Sequence, residues 1–157
     1  GKVLNYPVLS SIGVDFTYGG FGTRNDKGWN GFKIIKNSPL FKNTGINLGD
    51  TLFVKSAEYD GMPLLNIETT PIIDTSIVKF YKIDLIGYDR CIDANNIDKN
   101  GVFIVFKKTK SSGVIINAAS TNWCASEGFE GPSGEKIKKL TYNFIDFLAN
   151  DKEVFSE

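Results

Sequence analysis

The most constraining stretch of the chain is Val102-Phe103-Ile104-Val105-Phe106, an apolar run without a polar interruption. A strand with one face in water alternates apolar and polar residues, so an unbroken run predicts a strand covered on both faces. The segment Lys107-Lys108-Thr109-Lys110-Ser111-Ser112-Gly113 supplies turn chemistry, and residues 114–119 return as a second strand. That return strand leads straight into Ser120-Thr121-Asn122-Trp123-Cys124. In open α/β sheets the edge beyond the C-terminal end of a strand is where ligands bind.

A second strong pattern lies near the C-terminus. Ile137, Leu140, Thr141, Phe144, Ile145 and Leu148 recur at helical spacing and predict one buried stripe, with Lys136, Lys138, Lys139 and Asp146 mostly opposite. Ser133, after Pro132, is placed to cap this helix, and Glu135 falls in the first turn, where the helix dipole favours an acid. Asn150 is expected to close it in the left-handed conformation. Upstream, turn signals at short intervals predict short strands at 8–16, 32–36, 51–59, 64–73 and 76–88, with Asp60-Gly61 as a turn. The fold class predicted is α+β: a mixed, largely antiparallel sheet fed by a β-hairpin, with the C-terminal helix packed on one face.

The 157 residues suit a single domain spanning 1–157, and 41% hydrophobic content is enough to give it a packed core. Lys plus Arg number 18 and Asp plus Glu number 18, so no net field gathers polyanions at the surface. Only Arg24 and Arg90 carry guanidinium forks, which argues further against nucleic-acid recognition. No apolar run approaches the roughly 20 residues that span a bilayer, and no leader pattern opens the chain, which begins at Gly1 as a processed or excised segment would. Histidine is absent, so neither a Ser-His-Asp set nor an HExxH zinc site can be built from this chain. Proton handling would fall to carboxylates, Lys, Tyr or Cys. Cys91 and Cys124 are too few and too far apart for a stapled scaffold or a CxxC site, and are expected as two reduced, packed thiols, against the alternative of one long-range disulfide. They fit a reducing compartment without fixing one.

Three clusters could carry chemistry. Glu58-Tyr59-Asp60 offers two carboxylates and a phenol at a strand end, suited to general-base work or to hard-oxygen ligation; the competing reading is a solvated Glu58, a packed Tyr59 and a turn at Asp60. Asn117, Ser120 and Asn122 could orient a carbonyl or stabilise an oxyanion, with Trp123 as an apolar wall, or Trp123 could be core. Tyr18, Phe21, Trp29 and Phe32 flank a glycine-rich segment and could stack on sugar rings, or could cover the sheet. Gly19-Gly20-Phe21-Gly22 lacks the Lys-Ser/Thr of a phosphate loop.

Residues 113–124, with the helix around Ile137-Lys138-Lys139-Leu140-Thr141-Tyr142-Asn143-Phe144, resemble the C-terminal region of the large subunit of N,N-dimethylformamidase, whose pattern reads G-x-V-F-N-A-G-S-x-E/D-W before a helix of the type I-T-x-N-V-L. Residues 41–50 are similar to that family's F-x-G-T-G-L-x-x-G-D, and Glu58-Tyr59-Asp60-Gly61 to its Y-E-x-D-G. Order and spacing agree over residues 8–148. The resemblance implies the C-terminal half of a larger domain like that of class I glutamine amidotransferases, with the missing upstream part of its own parent chain as partner. It also implies amide C–N hydrolysis with an iron ion held by Tyr and Glu, ligands that match no residue here and are expected upstream of this segment, so no metal ligand is named here. Three departures weigh against retained chemistry: Ala119 replaces a Gly, Asn122 stands where relatives carry Glu or Asp, and Ser56-Ala57 replace a Gly-Tyr pair. The expected site is therefore Glu58, Asn117, Ser120 and Asn122 as the chemical groups, with Tyr59, Asp60, Trp123 and Trp29 against the ligand. The functional expectation is a dimethylformamidase-like domain that is not an autonomous amide hydrolase, against the alternative of a glycan- or protein-binding module.

Overall fold

The computed structural model describes residues 6–21 and 29–156. The chain runs through α1 (Val8–Ile12), β1 (Asp15–Phe21), β2 (Phe32–Ile34), a 3-10 turn at Pro39–Phe41, β3 (Thr51–Leu52), β4 (Glu58–Gly61), β5 (Leu64–Leu65) and β6 (Ile72–Ile73). It continues with β7 (Lys82–Ile92), β8 (Asp98–Lys107), β9 (Val114–Ala118), α2 (Ser126–Phe129) and α3 (Gly134–Ala149). The main sheet has the order β3-β2-β7-β8-β9; β1 pairs with β4 and β5 with β6, and every named pairing is antiparallel.

The apolar run of β8 does what its pattern predicts. Alternate side chains of a strand point to opposite faces. Phe103 and Val105 enter the core beneath α3, together with Phe32, Ile86, Trp123, Ile137, Leu140 and Phe147. Val102, Ile104 and Phe106 enter a second core with Val14, Met62, Val78 and Leu85. The hairpin with β9 has an unbroken register from Phe103 opposite Ala118 to Lys107 opposite Val114. The C-terminal helix lies where expected, on one face of the sheet.

Several local expectations change. Residues 8–16 are not one strand. Gly13, at φ +83, ends the short helix α1, and an added Cβ there would lie 2.6 Å from Ile104 Cδ1, so the chain turns tightly over the second core before β1 begins. Residues 51–59 split into β3 and β4, and Asp60-Gly61 continues β4 instead of turning. Gly61 is needed for close approach, since a Cβ would meet Asn100 O at 2.3 Å. Residues 64–73 supply only β5 and β6, and 76–81 precede β7 in a turn where Asp74 accepts from Ser76 N and Oγ.

On α3 the buried apolar side chains are Ile137, Leu140 and Phe147, whereas Ile145 is 65% and Leu148 43% exposed. The expected stripe is thus wider than the buried one. Ser133 sits at the N-cap, but its hydroxyl accepts from Phe53 N at 2.9 Å instead of capping the helix. Asn150 ends α3 outside the left-handed region, which Asp151 occupies at φ 49. Both cysteines are free; Cys91 is packed as expected, and Cys124 is exposed. Burial, with Asp89 and Asp93 nearby, pushes the Cys91 thiol up to about 11. Among the described residues no helix is long and apolar enough to cross a membrane.

Candidate functional site

Alternation along β4 sorts its three functional candidates. Tyr59 points inward, and Glu58 and Asp60 share the opposite face, each half-buried. An isolated antiparallel bridge joins Tyr59 to Ser120, while Asp60 N donates to Ala119 O at 3.0 Å and Thr121 N to Glu58 O at 3.3 Å. The chain leaving β9 is thereby tied along β4. Glu58, Asp60, Asn117, Ser120 and Thr121 line one shallow hollow of about 180 Å³, with Ile12 and Val14 as its apolar wall. The two carboxylates and the Asn117 amide singled out from the sequence converge, while Ser120 lines the hollow with its hydroxyl on the inner side, beside the Tyr59 phenol.

The hollow is acidic. Burial raises the Asp60 carboxyl above the ordinary aspartate range, and the charges of Glu58 and Asp15 raise it further. No Lys or Arg is among the lining residues. Asn117 Nδ2 donates to Ile12 O at 2.9 Å, fixing the amide and leaving its carbonyl oxygen unpartnered among the described residues. Ser120 Oγ accepts from Asn122 N at 3.2 Å, which holds the hydroxyl at the head of the next turn. Strand alternation in the sequence places Glu58 with Asp60, but nothing local announces Asp15 or Thr121. Asp15 arrives through the β1–β4 pairing, and Thr121 through its backbone bond to Glu58.

Four expected site residues lie elsewhere. Asn122 is held behind the hollow: its Oδ1 accepts from Ser56 Oγ at 3.0 Å and Thr121 Oγ1 at 3.1 Å. Its amide therefore braces the 56–58 turn, and it is not among the hollow's lining residues. Tyr59 is fully buried between Trp29 and Phe32, with ring centroids 5.0 and 4.7 Å away in stacked geometry. Its hydroxyl donates to Val54 O at 2.8 Å, and desolvation, aided by the charge of Asp89, pushes the phenol well above its usual range. Trp29 donates Nε1–H to Gly20 O, and Trp123 to Thr141 Oγ1, both rings being core. The bulk of these aromatics decided their place, because each has one polar atom and finds a partner for it inside.

The iron that the resemblance implies has no fit here. Among the described residues no three His, Cys, Asp or Glu side chains are grouped to hold a metal ion. The tyrosine beside Glu58 is buried with its hydroxyl donated to a carbonyl, so it offers no phenolate.

The aromatic, glycine-rich cluster also divides. Trp29 and Phe32 belong to the core, Tyr18 is half-buried, and residues 22–28 lie outside the described residues. Phe21 is exposed and meets exposed Phe16 edge-on at 5.1 Å. The pair flanks a hollow of about 580 Å³ shared with Thr17, Asp93, Asn95 and Lys99. No family model matches the chain, and no curated protein or solved structure matches it either.

Proposed function

We propose that this chain is a dimethylformamidase-large-subunit-like domain that binds a small ligand without cleaving it on its own. The observation that carries the reading is the convergence of Glu58, Asp60 and Asn117 on one hollow. Two carboxylates and an amide carbonyl make that hollow rich in acceptors, which complements a ligand bearing N–H donors, such as a primary amide, an amine or a guanidinium group. A tertiary amide brings no N–H donor and fits this set poorly. The buried, hydrogen-bonded phenol of Tyr59 and the diversion of Asn122 into a turn support binding over hydrolysis.

The test is an NMR titration of the chain with formamide, methylguanidinium and N,N-dimethylformamide, paired with an assay for released formate and amine. The first two ligands are expected to shift amide resonances of residues 58–60 and 117–121, and the third to leave them unmoved. Glu58→Gln is expected to weaken binding at least tenfold, about 1.4 kcal/mol. Binding should also weaken on acidification as Asp60 takes up its proton, beginning above the ordinary aspartate range. Resonances at the hollow that ignore all three ligands, or amide turnover that Glu58→Gln abolishes, would overturn the reading.

A second reading, a glycan-binding module, is favoured by the exposed Phe16–Phe21 pair beside Asp93 and Asn95. Aromatic faces and short polar side chains together suit a sugar ring. Phe21→Ala is expected to abolish retention on a glycan array, and no retention of the unaltered chain on any glycan would remove the reading.

A further inference from the structure

We propose that the outer edge of β9 is a self-association surface, on which a second copy of this chain adds its own β9 antiparallel and continues the main sheet across a two-fold axis. The proposal stands apart from the ligand reading above.

The hydrogen-bond phase of β9 is set at its end. Ala119 N donates to Val102 O at 3.1 Å, and the register that places Phe103 opposite Ala118 places these two residues opposite each other. In an antiparallel ladder, residues two apart on one strand bond to the same side. Ile115, Asn117 and Ala119 therefore bond toward β8, and Val114, Ile116 and Ala118 present their backbone groups outward. The Ala118 carbonyl takes Ser120 N at 2.7 Å; no other described group bonds that side of Val114 or Ile116. Natural edges are shielded by charges, prolines, bulges or brevity. Val114-Ile115-Ile116-Asn117-Ala118 has no charge and no proline, and its pairing with β8 has no bulge. The other edge of the sheet, β3, is only two residues long, and the next residue, Phe53, already donates its N–H to Ser133 Oγ.

The helix above supplies the second half of the surface. On one flank of α3, Lys136 pairs with Asp50 at 2.7 Å, and Asn143 Nδ2 donates to Leu40 O and Lys42 O, which ties that flank over the β2–β3 side. Ile145 and Leu148 follow Thr141 and Phe144 around the opposite flank, and those two contact Trp123 just beyond β9. The side chains of Val114 and Ile116 pack into the same core as α3. A strand laid along the β9 edge would therefore lie under the exposed Ile145 and Leu148. This explains why the apolar stripe of α3 is wider than the chain itself buries.

Three features select a second copy as the occupant. Antiparallel pairing centred on Ile116 sets Val114 against Ala118 of the other copy, so the segment complements itself. A two-fold perpendicular to the sheet puts both α3 helices on one face, with each Ile145 and Leu148 turned toward the axis. Charges then match at the ends. Lys107, Lys108 and Lys110 at the start of β9 have no carboxylate partner among the described residues, and neither Glu58 nor Asp60 beside its far end has a cationic one. Antiparallel pairing brings the lysine-bearing turn of each copy to the acidic end of the other, whereas parallel pairing would set like against like.

Sedimentation equilibrium of the 157-residue chain over a concentration series tests this. The expected result is a closed dimer of twice 17.3 kDa. Ile145→Lys alters only an exposed side chain, and is expected to weaken the dimer tenfold or more without changing circular dichroism. Ile116→Pro removes one outward donor, a substitution that edge strands tolerate, and is expected to give a folded monomer. Lys110→Glu is expected to weaken association, and adding Glu58→Lys in the same chain to restore it. A wild-type chain that stays monomeric, open-ended aggregates in place of a dimer, or a dimer equally tight in Ile145→Lys and Ile116→Pro would overturn the proposal.

Discussion

The two faces of β4 carry neighbouring residues to opposite fates. On the inner face Tyr59 stacks between two rings with its single polar atom satisfied, and on the outer face Glu58 and Asp60 stand close together without a cation partner among the described residues. The inner side is built for stability, because buried aromatic area and a satisfied hydroxyl both favour the fold. The outer side works against it, because carboxylates that repel and are partly desolvated favour release of one charge.

Substitutions on the inner face should have the largest effects. Tyr59→Ala empties the space between Trp29 and Phe32 and is expected to destabilise by about 3–5 kcal/mol, read from chemical denaturation. Gly101→Ala strikes the same stack from below. Its Cβ would lie 2.1 Å from Tyr59 Cδ2, so the ring must leave its place, and a loss of about 1–3 kcal/mol with a disturbed near-ultraviolet spectrum is expected. Tyr59→Phe keeps the stack and strands Val54 O, for an expected loss of about 1–3 kcal/mol by the same denaturation measurement.

The outer face should answer with the smallest change and the opposite sign. Because the folded state raises the Asp60 carboxyl, ionisation of Asp60 costs stability at neutral pH, and that cost disappears once the group is protonated in both states. Asp60→Asn is thus expected to match or slightly exceed the parent at pH 7, within the roughly 0.5 kcal/mol typical of surface changes. The gain should vanish below the ordinary aspartate range. A variant less stable than the parent at neutral pH would show that the two faces of β4 do not differ as described.

How much of this was legible beforehand depended on the length of each pattern. The β8–β9 hairpin and α3 carry many apolar residues in phase with their own geometry, and both lie where their patterns put them. The five-residue α1 is too short to show a helical period, and Gly13, which ends it, reads equally well as part of a strand. Asp60-Gly61 has turn composition, yet tertiary contact with Asn100 decides its conformation. For the candidate site, the meeting of Glu58 with Asn117 and Ser120 followed from their places at strand ends. The inward direction of Tyr59, Trp29 and Trp123 did not, since a pattern shows which residues share a face and leaves open which face meets the core. Asn122 shows the same limit at closer range: its motif position pointed to chemistry, and its amide is spent on the turn of Ser56.

Strand β8 is the wall common to both apolar layers, one lining it with Phe103 and Val105 and the other with Val102, Ile104 and Phe106. Neither layer can come apart without wetting the back of the other, so the molecule has no cheap intermediate in which half of it melts. Its unfolding is expected to be that of one cooperative unit, with the amide protons at the centre of β8 the last to exchange with solvent.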